Sequence, residues 1–166
     1  MPSNLTQKER MLLEDQKKHE EICIQKYQNY SAQVQDPQLK QLLDSYAQQE
    51  QEHLNSLNQL LSGQLPKINQ QQSGSQHQLS SQQQPGSQQG LQSQPGQGAP
   101  ANQRDASLLT DLLMTEKYVS GTYDTAIFEM TSSSVRQALN HIQKEEQQHG
   151  EGIFNYMNSH GMYNPQ

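Results

Sequence analysis

From residue 64 to 103 the chain reads QLPKINQQQSGSQHQLSSQQQPGSQQGLQSQPGQGAPANQ, almost wholly Gln, Ser, Gly and Pro. No other feature limits the fold so strongly. A stretch of this composition has too little apolar surface to offset the entropy lost on ordering it, so residues 63–103 are expected to be a disordered linker, with His77 solvated inside it. Folded structure must then come from residues 1–62 and 104–166. Together these are about 120 residues, enough for one buried core.

Each flanking stretch carries the marks of two helices. Thr6 and Glu9 stand as a capping box and open a helix that runs to about Gln33. Asp36-Pro37 restarts the chain, with Asp36 as N-cap and Pro37 in the first turn, and Gly63 stops that second helix after Leu61. A third helix is expected from Asp105–Ser107 to about Met130. The run TSSS at 131–134 caps a fourth, which ends near Ser159 before Gly161 and Pro165.

The lengths of the connections choose the architecture. Tight turns make each pair an antiparallel hairpin, whereas some 40 residues between the second and third helices can return along a rod of about 40 Å. The expected fold is all-α: a ferritin-like four-helix bundle, two antiparallel hairpins (1–62 and 104–166) joined by a long crossover (63–103), forming one folded domain.

Charge and composition exclude several functions. Seventeen acidic residues face 11 Lys and Arg, the net charge is −6, and the basic residues are not clustered, so neither nucleic acid nor an anionic membrane is an expected partner. No apolar run approaches the roughly 18 residues of a membrane span. The opening MPSNLTQKER has no apolar core, so synthesis and retention on the cytosolic side are expected. Cys23 stands alone and reads as a small buried helix residue, with a cross-link between chains as the alternative. No glycine-rich phosphate loop, Cys pair or Ser/His/Asp arrangement with supporting spacing is present.

Spacings of three and four give each helix one inward stripe. The stripes run Leu13, Gln16, Glu20, Cys23 or Ile24, Tyr27; Leu39, Leu43, Tyr46, Glu50, His53, Leu57, Leu60; Leu109, Leu112, Glu116, Val119, Tyr123, Met130; and Val135, Leu139, Ile142, Glu146, His149, Ile153, Tyr156. Four carboxylates and two imidazoles thus sit in what ought to be core. The two halves agree at these points: the step of 96 that takes Glu20 to Glu116 also takes Tyr27 to Tyr123, Glu50 to Glu146 and His53 to His149, with Leu13, Asp15, Leu43 and Gln51 likewise matched.

Burying isolated carboxylates is costly, and clustering four adds repulsion. Two divalent cations would balance four carboxylates while two imidazoles completed the coordination. One Glu from each of two helices and a Glu-x-x-His from each of the others is the ligand pattern of di-iron and di-manganese bundles. Glu20, Glu50, His53, Glu116, Glu146 and His149 are therefore the candidate metal ligands, for iron or manganese, with zinc also accommodated. The alternative is a partly wet core in which these groups bond one another, or a remnant of a metal-binding ancestor. Glu21, Glu52 and Glu145 fall off the stripe and are expected in solvent, as are His19, His141 and His160. Tyr27 and Tyr123 read as core aromatics or, more sharply, as hydrogen-bond donors to ligand carboxylates. Gln16 is a further candidate for such support.

The segment LLTDLLMTEKYVSGTYDTAIFEM, followed by LNHIQKEEQQHGEGIFNYMNSHGMYNPQ, resembles the spore coat protein F family, most tellingly in IFNYMNSHGMY. The resemblance covers about 60 residues of the C-terminal half. It implies a structural component of the bacterial endospore coat, made in the mother-cell cytoplasm and assembled with other spore coat proteins; a homodimer is compatible with it. In such a coat, Lys67 and the neighbouring glutamines are candidate isopeptide partners. A redox-active di-iron or di-manganese protein acting on peroxide or O2 is the alternative that the candidate ligands leave open.

Overall fold

The computed structural model describes residues 4–67 and 100–163, so the middle of the expected linker, with His77, lies outside the described residues. Lys67 is described and exposed. The described chain forms four helices and no strand: α1 (Gln7–Ser31), α2 (Pro37–Leu61), α3 (Pro100–Glu129) and α4 (Ser133–Ser159).

The ends are fixed by local chemistry. Thr6 and Glu9 form the expected capping box, each side chain taking a hydrogen bond from the other's backbone N–H. The Asp36 carboxylate accepts from the Gln38 N–H at the start of α2, and the Ser132 hydroxyl from the Val135 N–H at the start of α4. Gly63 and Gly161 lie just past the ends of α2 and α4 with φ of 82° and 67°, a left-handed backbone that a side chain would strain. One boundary differs from expectation: α3 begins at Pro100, not at Asp105–Ser107. Proline suits a first helical turn because its missing N–H would have no partner there.

Each helix packs against two others. α1 pairs with α2 and with α3, and α4 with α3 and with α2, leaving α1/α4 and α2/α3 as the diagonals. Every neighbouring pair is antiparallel. Early α1 meets late α2 where Arg10 reaches the Leu61 carbonyl, and late α1 meets early α3 where Lys26 bonds Asp111 at 2.6 Å. Early α2 meets late α4 through Tyr156 and Asp36, also at 2.6 Å. Arg104, near the start of α3, bonds Gln33 just past the end of α1. The end of α2 and the start of α3 therefore lie at opposite ends of the bundle, separated by about 37 Å of helix, the arrangement of a ferritin-like bundle with one long crossover.

The core is divided in two. One apolar cluster, including Leu13, Leu57, Leu60, Val135 and Leu139, fills the end where α1 begins. A second, including Leu39, Leu43, Leu109, Leu112 and Ile153, fills the other end. Between them the stripes become polar. The expected stripe of α4 needs one change: Met157 is buried, while Tyr156 is half-buried with its hydroxyl on Asp36. Cys23 is 1% exposed, which leaves its thiol no surface from which to reach another chain, and burial pushes its pKa up.

Candidate metal centre

All six candidate residues project into the layer between the two apolar clusters. Glu20, Glu50 and Glu146 have no exposed surface, and Glu116, His53 and His149 have at most 3%. Glu50 and His53 are one turn apart on α2, as Glu146 and His149 are on α4, so each pair turns inward together. The His53 Nδ1 lies 3.1 Å from Glu50, 3.2 Å from Glu146 and 3.7 Å from Glu20. The His149 Nδ1 lies 3.2 Å from Glu50 and 3.6 Å from both Glu116 and Glu146. The two rings are stacked with centroids 5.8 Å apart.

The ligand-type atoms fall into two overlapping groups: Glu20, Glu50, His53 and Glu146, and Glu50, Glu116, Glu146 and His149. Within each group one atom per residue lies within 4.8 Å of all the others. Glu50 and Glu146 belong to both, the position of carboxylates that could bridge two ions.

Whether cations suit this layer can be judged from its unused bonding capacity. Among the described residues, the buried side-chain oxygens without a hydrogen-bond partner are Oε2 of Glu20, Oε2 of Glu116 and both oxygens of Glu146. Buried polar atoms are nearly always satisfied, and an orphaned carboxylate oxygen is a costly exception. These oxygens belong to three of the six candidates, and the imidazole of His53 is close to two of them, with Nδ1 3.2 Å from Glu146 Oε1 and 3.7 Å from Glu20 Oε2. The donor set of carboxylate oxygens and imidazole nitrogens fits a metal ion, and each of the two groups is close enough to hold one.

Protons balance the layer when no cation does. Burial, reinforced by the charge of Glu146, raises the pKa of Glu20 well above the carboxylate range; burial and the same neighbour do so for Glu116. Burial would also raise Glu50 and Glu146, but the imidazoles beside them outweigh it and hold both below the ordinary value. Burial would lower the imidazoles, yet the surrounding carboxylates push His53 well above its usual value and His149 up to about 11. These directions favour protonated Glu20 and Glu116, ionised Glu50 and Glu146 and protonated imidazoles, a set whose charges cancel.

Outer contacts fix the candidate side chains. The Tyr27 hydroxyl donates to Glu116 and the Tyr123 hydroxyl to Glu20. Each tyrosine thus serves the glutamate of the other hairpin, because α1 and α3 are antiparallel and place Tyr27 level with Glu116. Tyr46 lies over the His149 ring, with centroids 4.3 Å apart, and its hydroxyl rests against Gly152, where a Cβ would collide with it. Gln16 is buried, and its amide oxygen accepts from Thr122 at 3.0 Å.

Two outer residues depart from the reading of the stripes. Glu145, expected in solvent, is only 18% exposed and accepts a hydrogen bond from His53 Nε2 at 2.8 Å. Burial would raise its pKa, but His53 beside it brings it below the usual range. Gln49 accepts from His149 Nε2, also at 2.8 Å. His141 is 36% exposed and lies 3.5 Å from Glu145; His19 is half-buried and His160 exposed. Glu21 and Glu52 are exposed, as expected.

A cavity of about 480 Å³ lies between α3 and α4. Leu113, Met114, Gly150 and Tyr163 line it, with Glu116 and Glu146 at its inner end. The internal repeat puts Leu54 where α4 has Gly150, so the second hairpin carries the small residue on this side.

Residues 104–166 match the family model described as the Coat F domain, the family that the C-terminal half resembles by sequence. Comparison with curated proteins gives no match, and neither does comparison with solved structures.

Proposed function

We propose, with the Coat F match over residues 104–166 as premise, that this protein is a structural component of the bacterial endospore coat whose bundle carries a dinuclear metal site. Residues 1–62 and 104–166 form its one folded domain, with 63–103 as the crossover, whose last residues, from Pro100, already belong to α3. Glu20, Glu50, His53, Glu116, Glu146 and His149 hold two divalent cations, iron or manganese, with zinc as a third candidate. Association with other coat proteins follows from the family. Exposed Ile22, Met114 and Tyr118, which border one groove between α1 and α3, offer apolar surface for it. No helix among the described residues is long and apolar enough to cross a membrane. Synthesis in the mother-cell cytoplasm, before deposition in the coat, completes this reading.

The observation that carries the metal assignment is the set of orphaned oxygens on Glu20, Glu116 and Glu146 within a layer between two apolar clusters. A bundle that needed only mechanical strength would be at least as stable with apolar residues there. Cations would tie the four helices to one another at their midpoint and so stabilise the fold by mass action, by about 2.7 kcal/mol at a hundredfold excess over Kd.

A second reading is favoured by the cavity that reaches Glu116 and Glu146. Bound iron or manganese would supply redox chemistry toward peroxide or O2, and the cavity would admit a molecule of that size. Glu116 and Glu146 would hold the metal at its inner end, and Leu113 and Met114 would limit the water around it.

Metal analysis of protein purified without chelator tests both readings. About two equivalents of iron or manganese per chain, with peroxide consumption abolished in Glu50→Ala, supports the redox reading. Bound metal without turnover supports the structural one. Absence of metal, with no change in melting temperature on adding Fe2+, Mn2+ or Zn2+, refutes the metal site.

A further inference from the structure

The internal repeat matches the candidate ligands pair by pair and also matches much that surrounds them. Glu20 and Glu116 each receive a tyrosine hydroxyl, from Tyr123 and Tyr27. Glu50 and Glu146 each stand one turn before a histidine, and both histidines turn Nδ1 to the centre and Nε2 outward. The outward contacts break the match. His53 Nε2 meets the carboxylate of Glu145, and His149 Nε2 meets the amide oxygen of Gln49, both at 2.8 Å. Gln49 and Glu145 are the same position of the repeat, because the step from 49 to 145 is the step from 20 to 116.

We propose that this difference makes the two cation positions unequal, with Glu145 directing the first divalent cation to the half-site of Glu20, Glu50, His53 and Glu146. The inference rests on the dinuclear site and deepens it. In both halves an acceptor at Nε2 fixes the ring tautomer that leaves the Nδ1 lone pair for a cation. A carboxylate does more than an amide. Its charge draws the Nε2 proton more strongly, makes Nδ1 the better donor, and adds one negative charge beside that half-site.

Glu145 is also held in place. His141, one turn earlier on α4, lies 3.5 Å from its second oxygen, whereas the repeat puts Ser45 at that position on α2, with its hydroxyl bonded to the Leu42 carbonyl. Among the other differences, Tyr46 lies over His149 where the equivalent position is Ile142, and Gly150 against Leu54 opens the cavity beside Glu116; neither Tyr46 nor Ile142 hydrogen-bonds a ring nitrogen among the described contacts. Glu145 is therefore a positioning residue for His53.

The test is a titration of the full chain, labelled with 15N at histidine, with Zn2+ alone. At one equivalent the His53 Nδ1 resonance should move to its metal-bound position while that of His149 stays, and the second equivalent should move His149. In Glu145→Gln the first binding step should weaken about 10–100-fold and both rings should shift together. Glu145→Asp, which restores the charge, should restore the order, and Gln49→Glu should tighten the second step. The inference is overturned if His149 responds first, if both rings move together in the unaltered chain, or if Glu145→Gln leaves order and affinity unchanged. A chain in which neither ring responds at two equivalents overturns the dinuclear site as well, so the two failures are distinct.

Discussion

Loading the metal-free protein with Zn2+ at pH 7 should release about four protons per chain. The number follows from the charge balance inside the bundle. Burial raises the pKa values of Glu20 and Glu116 well above the ordinary carboxylate value, the direction that favours their protonated forms when no cation is bound. The surrounding carboxylates shift His53 well upward and His149 to about 11, the direction that favours imidazolium rings. Glu50 and Glu146 are already ionised. Coordination requires carboxylates and neutral imidazoles, so two carboxyl and two imidazolium protons must leave while two doubly charged cations enter. Calorimetry in two non-coordinating buffers of different ionisation enthalpy reads the number directly, as the slope of apparent binding enthalpy against buffer enthalpy. The slope should be near four, and the apparent affinity should fall steeply on acidification as the same groups retain their protons. A slope below about two would refute the claim that protons hold the place of the cations' charge.

Three further outcomes are expected. Gly152→Ala should cost about 1–3 kcal/mol in thermal or urea unfolding, because the new Cβ displaces the Tyr46 hydroxyl and the ring that covers His149; Tyr46→Phe in the same chain should recover part of the loss. Glu9 accepts hydrogen bonds from the N–H groups of Thr6 and Thr131 and from the Thr131 hydroxyl, which outweigh its burial and hold its pKa at about 2. A depressed carboxyl stabilises above its unfolded value of 4.5 and loses that contribution as pH falls towards 2, so the fall in melting temperature between those values should be shallower in Glu9→Gln than in the unaltered chain. Tyr27→Phe and Tyr123→Phe should each weaken cation binding measurably, and to a similar extent, since each removes one hydroxyl from one buried glutamate.

The helix caps at Thr6, Asp36 and Ser132 were readable because a cap is a local arrangement, and the stripes because their period is helical. The six inward Glu and His residues could be named for the same reason. The rest depended on relations between helices. Tyr27 serves Glu116 and not Glu20, two turns earlier on its own helix, since only the antiparallel register of α1 and α3 brings them level. Glu145 lies off the stripe by periodicity, yet its side chain is long enough to bend back to His53. Its correspondence with Gln49 is visible in the repeat, but its partner is not. The early start of α3 at Pro100 was hidden by composition, since PANQ continues the Gly, Pro and Gln bias of the preceding segment.

The central claim is that cations make burial of these carboxylates tolerable, and anomalous diffraction tests it most directly. Crystals of the full chain grown with Zn2+ and measured on both sides of the zinc edge should show two peaks within the bundle. One should lie among Glu20, Glu50, His53 and Glu146, and the other among Glu50, Glu116, Glu146 and His149. A bundle with these side chains in place and no anomalous peak between them would contradict the account.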